Sequence, residues 1–260
     1  MLQLIAQGVG PGLQNGLCFF CTFPDQKSNE MRIKRFVIFF WLIAICIPCI
    51  RAQILEKPNC GLKSHETLEI LSIEEFSGKT IVTASIENRI SGGNFCADKN
   101  IYLIEPDGKK LKLIRSTGIP VCPGSYIFKS IGEKLQFTLE FPSLRSGTKW
   151  IDIVEECASN CFWFYGVTLD NELNKKLDNV FLEASEGNAP ENIILFKTLL
   201  DSIDNQNIGI EGLLYINIIN AAIEDNDKIN SMTWYRRLAS SHAPRLKSYI
   251  KYLNDKGIMF

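Results

Sequence analysis

The segment from Met31 to Gln53 constrains this chain most, because it has the layout of a secretory signal peptide. Three basic residues follow Met31, an apolar run of 15 residues extends from Phe36 to Ile50, and Arg-Ala-Gln comes next. A basic region, an apolar region and a small residue before the cleavage point are the three parts of such a signal. The sequence therefore predicts export, with cleavage between Ala52 and Gln53.

An uncleaved signal anchor is the alternative to a cleaved signal. The apolar run is shorter than the ~20 residues that a membrane-spanning helix needs, which favours cleavage. Because most of the positive charge precedes the run, the chain after it lies outside the cytoplasm in either case. We therefore expect a secreted or periplasmic protein with no stable membrane span after cleavage, or a membrane-tethered protein if the signal is retained.

Residues 1–30 precede a complete signal peptide that has its own methionine at Met31. They have no helical or strand periodicity longer than a few residues, and we interpret them as an over-extended or disordered N-terminus. They contain Cys18 and Cys21, whose Cys-x-x-Cys spacing occurs in redox and metal sites. No strand–helix pattern surrounds this pair, and we expect no function for it.

The chain after the predicted cleavage point carries a mild and interspersed charge. The first 52 residues hold five of the 28 Lys and Arg and two of the 29 Asp and Glu, which leaves 23 basic against 27 acidic side chains. The resulting formal charge of −4 forms neither the basic stripe of a nucleic-acid-binding protein nor the cationic face of a membrane-surface helix. The composition therefore argues against nucleic acid and membrane surfaces as partners.

Five of the nine cysteines follow the cleavage point: Cys60, Cys96, Cys122, Cys157 and Cys161. Outside the cytoplasm we expect them to be oxidised where geometry allows, as two disulfides and one free thiol. The sequence does not choose among the connectivities, although Cys157 and Cys161 are close enough in sequence to pair with each other. The alternative for that pair is half of a zinc site, with His65 and His242 as the only histidines available. We favour a structural disulfide and expect no metal or cofactor.

Apolar and polar residues alternate in short segments between Leu68 and Leu169, which predicts β-strands. The clearest is Leu135–Phe141, which has four large apolar residues on one face. Glu105–Gly108 has proline and glycine where a hairpin turn favours them. The predicted strands are 68–73, 80–86, 101–104, 110–114, 135–141, 150–154 and 162–169, with a short edge strand near 126–128. Such a series without intervening helices is typical of an Ig-like β-sandwich.

A known family resembles one part of this region. The segment from Phe141 to Glu155, FPSLRSGTKWIDIVE, joins a strand end, a proline, a glycine-containing turn and a strand that begins with Trp150. It resembles the late strands of Ig-like domains in secreted bacterial proteins of unknown role. The resemblance implies a fold and carries no site residues.

Four aromatic residues stand together at Phe162–Tyr165. Neighbouring side chains of a strand point to opposite faces, so two of the four belong in the core. The other two, Trp163 and Tyr165, either pack under the helical region or stack on a sugar. Together with Trp234 and Tyr235 they form the predicted contact surface.

The period of the apolar residues changes from 2 to 3.6 at Asp170, which predicts helices in the remaining chain. Asp170 or Asn171 is a suitable N-cap for the first helix. Pro244 lies in the first turn of the fifth helix, and Gly257 follows its end. The apolar positions of the five helices are Leu173, Leu177, Val180 and Phe181; Ile193, Phe196, Leu199 and Leu200; 213–223; 229–239; and Leu246, Tyr249, Ile250 and Leu253.

The helical region resembles the tetratricopeptide family. In the segment VFLEASEGNAPENIILFKTLL, Gly187 stands at the turn and Phe196 at the position where the second helix packs back on the first. A second unit extends from Leu213 to Pro244. The resemblance implies a helical scaffold that holds a protein or a peptide. The alternative is an α-helical cap on the sandwich.

These patterns predict an α+β chain in two parts, an Ig-like antiparallel β-sandwich followed by an all-α, tetratricopeptide-like region after a signal peptide. The boundaries are an N-terminal extension at 1–30, the signal peptide at 31–52, a linker at 53–66, the sandwich at 67–170 and the helical region at 171–260.

The sequence contains no assembled catalytic motif. It has no Gly-x-Ser-x-Gly, no His-Glu-x-x-His and no glycine-rich phosphate loop after a strand. We therefore expect a non-catalytic binding or scaffold protein of the cell envelope or exterior, with another envelope or secreted protein as its partner. The alternatives are an accessory carbohydrate-binding module that uses the aromatics at 162–165, and a hydrolase or thiol enzyme without a recognisable motif.

Overall fold

Short segments of alternating apolar and polar residues pair into sheets between Gln53 and Thr168. The computed structural model describes residues 53–203 and 207–260, so the predicted signal peptide, Ala52 and the Cys18–Cys21 pair lie outside the described residues. The strands in the described ranges are β1 (Gln53–Glu56), β2 (Leu62–Lys63), β3 (Leu68–Phe76), β4 (Lys79–Glu87), β5 (Asn94–Phe95), β6 (Ile101–Ile104), β7 (Lys110–Lys112), β8 (Arg115–Thr117), β9 (Tyr126–Ile127), β10 (Lys134–Pro142), β11 (Trp150–Glu155) and β12 (Trp163–Thr168).

Two five-stranded sheets form the β-rich part. The first sheet has the order β1-β3-β4-β10-β8, the second has the order β2-β12-β11-β6-β7, and β5 and β9 form a separate two-stranded ribbon. The ladders between these strands are antiparallel. The prediction of an antiparallel β-rich part is therefore confirmed.

Alternation along the strands gives the sheets a shared apolar core. The four large apolar residues predicted on one face of β10 are all buried. They join inward residues of the second sheet, among them Ile151 and Phe164, in one cluster. Burying a side chain of this size stabilises the fold by about 1.5–3 kcal/mol, so this core holds the two sheets together.

The segment 53–66 is part of the sandwich, and its prediction as a linker was wrong. β1 pairs with β3 at the edge of the first sheet, and β2 pairs with β12 at the edge of the second. β5 and β8 were not predicted either. Strands of two to four residues are too short to show a period, and their pairing depends on which neighbour the fold brings beside them.

Five helices follow in the described residues: α1 (Asn171–Glu186), α2 (Ala189–Ile203), α3 (Glu211–Glu224), α4 (Lys228–Ala239) and α5 (Leu246–Asp255). The carboxylate of Asp170 accepts the backbone N–H groups of Glu172 and Leu173 and so caps α1. The change of period at Asp170 thus marks the observed boundary between strands and helices. None of the helices in the described ranges combines the length and the hydropathy that a membrane-spanning helix needs.

The helices pack against the outer face of the second sheet. Leu62 of β2 is buried in the same apolar cluster as residues of the helices, and Trp163 and Tyr165 of β12 lie against that cluster. The indole Nε1 of Trp150 donates a 2.8 Å hydrogen bond to the carbonyl of Asn207, ahead of α3. The described sheets and helices therefore belong to one compact unit.

Candidate functional site

Three connecting segments meet at one end of the sandwich, and we call this surface the loop end: residues 88–100, 118–133 and 156–162. Antiparallel pairing brings them together. Glu87, the last residue of β4, pairs with Lys134, the first residue of β10. Glu155, the last residue of β11, pairs with Ile101, the first residue of β6. The segments that follow or precede these residues therefore emerge from the same end.

Two disulfides hold the loop end. Cys96 and Cys122, with Cα atoms 5.3 Å apart, join the first segment to the second. Cys157 and Cys161, with Cα atoms 5.5 Å apart, close the third segment on itself. Disulfides are typical of an oxidising compartment, which agrees with an exported protein. Among the described cysteines Cys60 is free, and burial raises the pKa of its thiol to about 11.

A buried carboxylate joins the first segment to the third. Glu155 is 5% exposed, and its two carboxylate oxygens accept the backbone N–H groups of Asp98 at 2.6 Å and Phe162 at 2.9 Å. Burial raises the pKa of Glu155, and these two hydrogen bonds oppose the shift because they stabilise the charged form. The structural role of Glu155 was not predicted. Its only sequence signal was a charged residue at the end of an apolar strand.

Hydrogen bonds of polar side chains also hold the second segment, residues 118–133, in place. The amide Nδ2 of Asn88 donates to the carbonyl of Ser130 at 2.8 Å, and the backbone carbonyl of Asn88 accepts from Gly132 at 2.8 Å. The carboxylate of Glu133 accepts from the Tyr126 hydroxyl at 2.6 Å, and this hydrogen bond is the main reason that the pKa of Glu133 is lowered. The three segments therefore form one pre-organised cluster.

The cluster surrounds a cleft of about 690 Å³. Acidic Glu87, Asp98 and Glu155 line it together with Arg89, and both disulfides contribute to its wall. Ile90 lines the cleft and is 66% exposed. Ile127 and Ile131, on the second segment, are 71% and 63% exposed. The loop end thus combines exposed isoleucines with a cleft lined by charged side chains, among which Arg89 pairs with Glu87.

His65 lies in the same cleft, beside Ser64. The Ser64 hydroxyl contacts the His65 Nδ1 at 2.8 Å and accepts the backbone N–H of Trp163 at 3.0 Å. Burial lowers the pKa of His65, which favours the neutral ring. Among the described residues, no carboxylate hydrogen-bonds this ring, so the pair lacks the third residue that orients a catalytic histidine.

The sequence left half of a zinc site as an alternative role for Cys157 and Cys161. One ligand atom each from Glu155, Cys157 and Cys161 lies within 4.8 Å of the others. Zinc binds thiolates, however, and the two sulfurs are joined in a disulfide. In this oxidised state the two cysteines offer no thiolate ligand.

The aromatic residues at 162–165 divide between the two faces of β12. Phe162 and Phe164 are buried in the sandwich core, as the strand alternation predicted. Trp163 and Tyr165 stack on each other with ring centroids 4.3 Å apart and pack against the helical cluster. The Arg245 guanidinium lies 4.9 Å from the Tyr165 ring centroid. Much of the aromatic surface that a sugar would need is therefore in contact with the protein itself.

The structure separates the two predicted contact residues of α4. Trp234 is 6% exposed and belongs to the helical core. Tyr235 is half-buried, and its hydroxyl donates to Oδ1 of Asn254 at 3.2 Å. His242 is exposed after α4, beside a smaller cleft of about 440 Å³. The structure does not bring these residues to the loop end.

An ion pair between a buried carboxylate and a partly exposed arginine at the sheet–helix boundary was not predicted. Asp152 of β11 is 1% exposed and accepts from Nε of Arg245 at 2.6 Å and from the backbone N–H of Gly166 at 2.7 Å. Burial raises the pKa of Asp152, while Gly166 and Arg245 oppose the shift. Arg245 lies 93 residues away in sequence, immediately before α5. The pair fixes the last helix to the second sheet.

Comparisons with protein-family models, curated proteins and solved structures find no match for this chain. The class of the protein therefore rests on its architecture: two antiparallel sheets followed by helices, with a disulfide-bonded cleft at one end of the sheets.

Proposed function

We propose that the protein is an exported, non-catalytic binding protein of the cell envelope or exterior, and that it recognises its partner with the loop end. One observation carries the proposal: two disulfides and the buried carboxylate of Glu155 hold three segments around one cleft. Binding residues often lie on loops that a rigid scaffold positions. Loops that are already ordered lose less conformational entropy on binding, which favours affinity.

An Ig-like fold is part of this proposal. The orders β3-β4-β10-β8 and β12-β11-β6-β7 correspond to the A-B-E-D and G-F-C-C′ sheets of Ig-like sandwiches, with β1 and β2 as added edge strands. In that correspondence the loop end consists of the B–C, D–E and F–G loops. The B–C and F–G loops of antibody variable domains contact antigen, which supports a recognition role for the same end here.

In this proposal the helical region is a structural cap on the sheets, and its helices resemble tetratricopeptide helix pairs. α1 and α2 are joined at Gly187, and the rings of Phe181 and Phe196 lie 5.6 Å apart, as the resemblance implies for a second helix that packs back. The Asp152–Arg245 pair and the Trp150 hydrogen bond tie this region to the sheet. These contacts favour a structural cap over an independent binding arm.

The chemistry of the loop end favours another exported protein as the partner. Asp98, which lines the cleft and is partly exposed, suits a basic side chain, and the exposed isoleucines suit an apolar one. A protein surface offers both within one patch, and partly apolar interfaces with complementary charge are common.

Point variants of the full chain test the proposal. Ile90→Asp and Ile131→Asp place charge on the loop end, while Ile194→Asp and Ile229→Asp place the same charge on exposed positions of α2 and α4. We expect a partner that is crosslinked to the wild-type protein in the exported fraction to be lost with the first pair and retained with the second. If only the Ile194→Asp and Ile229→Asp variants lost the crosslinked partner, the contact surface would lie on the helical region and the proposal would be refuted.

A further inference from the structure

The loop between Cys157 and Cys161 is held by little besides its own disulfide. Ala158, Ser159 and Asn160 are exposed, and both cysteines are partly exposed. Within the described part of the chain, none of residues 157–161 takes part in a backbone–backbone hydrogen bond. A thiol in solution can therefore reach this S–S bond, and the two sulfurs can separate once it opens.

The Cys96–Cys122 disulfide has different surroundings. The backbone N–H of Ala97 donates to the carbonyl of Pro120 at 3.0 Å, and the N–H of Cys122 donates to the carbonyl of Ala97 at 3.0 Å. The β5–β9 ribbon adds a second connection between the same two segments. These contacts keep the two sulfurs together, so their effective concentration stays high and the disulfide re-forms readily after reduction.

Glu155 and Phe162, which flank the Cys157–Cys161 loop, remain hydrogen-bonded to each other whether the cysteines are oxidised or reduced. The N–H of Glu155 donates to the carbonyl of Phe162 at 3.0 Å, and the N–H of Phe162 donates to the Glu155 carboxylate at 2.9 Å. Neither hydrogen bond involves sulfur. Opening this disulfide therefore leaves the ends of β11 and β12 in place.

We propose that Cys157–Cys161 is a thiol–disulfide exchange site, which an external dithiol reduces while the protein stays folded and Cys96–Cys122 stays oxidised. The Cys161 sulfur accepts the backbone N–H of Cys157 at 3.2 Å, and a hydrogen bond of this kind stabilises a thiolate. Cys161 is therefore the better leaving group, and Cys157 is the sulfur attacked. The proposal concerns the disulfide alone and does not depend on the ligand of the cleft.

The exchange balances with a dithiol as the co-reactant. One thiolate of the dithiol forms an S–S bond to Cys157 while the Cys157–Cys161 bond breaks and Cys161 leaves with the electron pair. The second thiolate of the dithiol then attacks its partner sulfur in this mixed disulfide and releases Cys157. The dithiol is oxidised by two electrons to a cyclic disulfide, and its two protons pass to the two protein thiolates.

Redox titration of the full-length exported protein tests the proposal. The native protein is equilibrated with defined ratios of reduced to oxidised dithiothreitol, quenched with acid, alkylated and mapped by mass spectrometry. We expect Cys157–Cys161 to be half-reduced at a ratio at least about tenfold lower than Cys96–Cys122 requires, because exposed disulfides are the more readily reduced ones. Circular dichroism should keep the native signal at the ratio that opens only the first disulfide.

Two single variants test which of the two thiolates is the better leaving group. Cys161→Ala leaves Cys157 free, and we expect oxidised glutathione to form a stable mixed disulfide at Cys157 in the folded protein. Cys157→Ala is the matched variant, and reduced glutathione should cleave its mixed disulfide at Cys161 faster than it cleaves the one at Cys157, because the stabilised Cys161 thiolate is the better leaving group. Reduction of the two disulfides at the same ratio, in the reverse order, or only together with loss of the native signal would overturn the proposal.

Discussion

Replacing Arg245 with alanine should destabilise the protein, and more strongly at neutral than at acid pH. The Nε and Nη2 atoms of Arg245 lie 2.6 and 2.5 Å from Oδ2 of Asp152. The other carboxylate oxygen of Asp152 accepts the backbone N–H of Gly166. The variant therefore leaves a buried carboxylate with one hydrogen bond and no neighbouring guanidinium.

The structure sets the size of the effect. Removing one partner of a fully buried ion pair costs about 3–5 kcal/mol. The Arg245 side chain is 37% exposed, and solvent screening of that side reduces the expected loss to about 2 kcal/mol at neutral pH.

The pH dependence follows from the pKa of Asp152, which burial raises above its ordinary value. A carboxyl group whose pKa is higher in the folded state contributes stability below its unfolded pKa, and this stability is lost as the pH rises through the folded pKa. Without Arg245 the pKa of Asp152 rises further, since the opposing charge is gone. The loss of stability in the variant should therefore be larger near pH 7 than near pH 4.

Urea unfolding followed by tryptophan fluorescence, with the disulfides intact, measures both quantities. Arg236→Ala is the matched control, because Arg236 is an exposed arginine on α4. Equal losses of stability in the two variants would contradict a stabilising role of the Asp152–Arg245 pair. A loss in the Arg245 variant that does not change with pH would contradict it as well.

Three further outcomes are expected. Gly166→Ala should lower the free energy of unfolding by at least about 2 kcal/mol, because Gly166 has φ +62° and an added Cβ would stand 2.0 Å from the carbonyl oxygen of Gly209. The Cys96→Ala/Cys122→Ala double variant should lose about 3.5 kcal/mol, because that disulfide closes a loop with a separation of 26 residues. Trp163→Ala should leave migration in polysaccharide gels unchanged, because Trp163 stacks on Tyr165 and packs against the helices.

Each of these outcomes has a control. Gly78→Ala, at a position with φ +93° and open space around it, should cost less than Gly166→Ala in urea unfolding. Cys157→Ala/Cys161→Ala should cost only about 2 kcal/mol, because its separation is four residues; an equal or larger loss would contradict the loop-closure reasoning. Retardation of the wild-type protein that Trp163→Ala abolishes would instead favour the carbohydrate-binding alternative.

The sequence predicted those strands and helices whose formation depends mainly on their own residues. β10 shows its period of two because one face meets the core and the other meets solvent. The N-terminus of α1 can be recognised from the sequence because Asp170 can cap the free N–H groups of the first turn. The two-residue strand β2 has no such signal, because its pairing with β12 depends on the position that the fold gives to both.

The loop end was beyond prediction for a different reason. Its parts come from segments around Cys96, Cys122 and Cys157, and only the strand order of the two sheets brings their ends together. The sequence left the disulfide connectivity open, because several pairings of five cysteines satisfy the same counts. The Asp152–Arg245 pair, whose members are separated by 93 positions in sequence, could not be predicted for the same reason.

Three buried carboxylates of the second sheet order the segments that are attached to it. Glu105, at the end of the sheet opposite to the loop end, accepts the N–H of Arg145 at 2.8 Å and so fixes the connection between β10 and β11. Asp152 fixes the helical cap, and Glu155 fixes the loop end. A buried charge is costly unless it is hydrogen-bonded or paired, and each of these side chains finds its partners in a connection or in the cap. The second sheet is thus a rigid frame whose charged residues order the parts attached to it, so the cleft that we propose as the binding site is already ordered in the free protein.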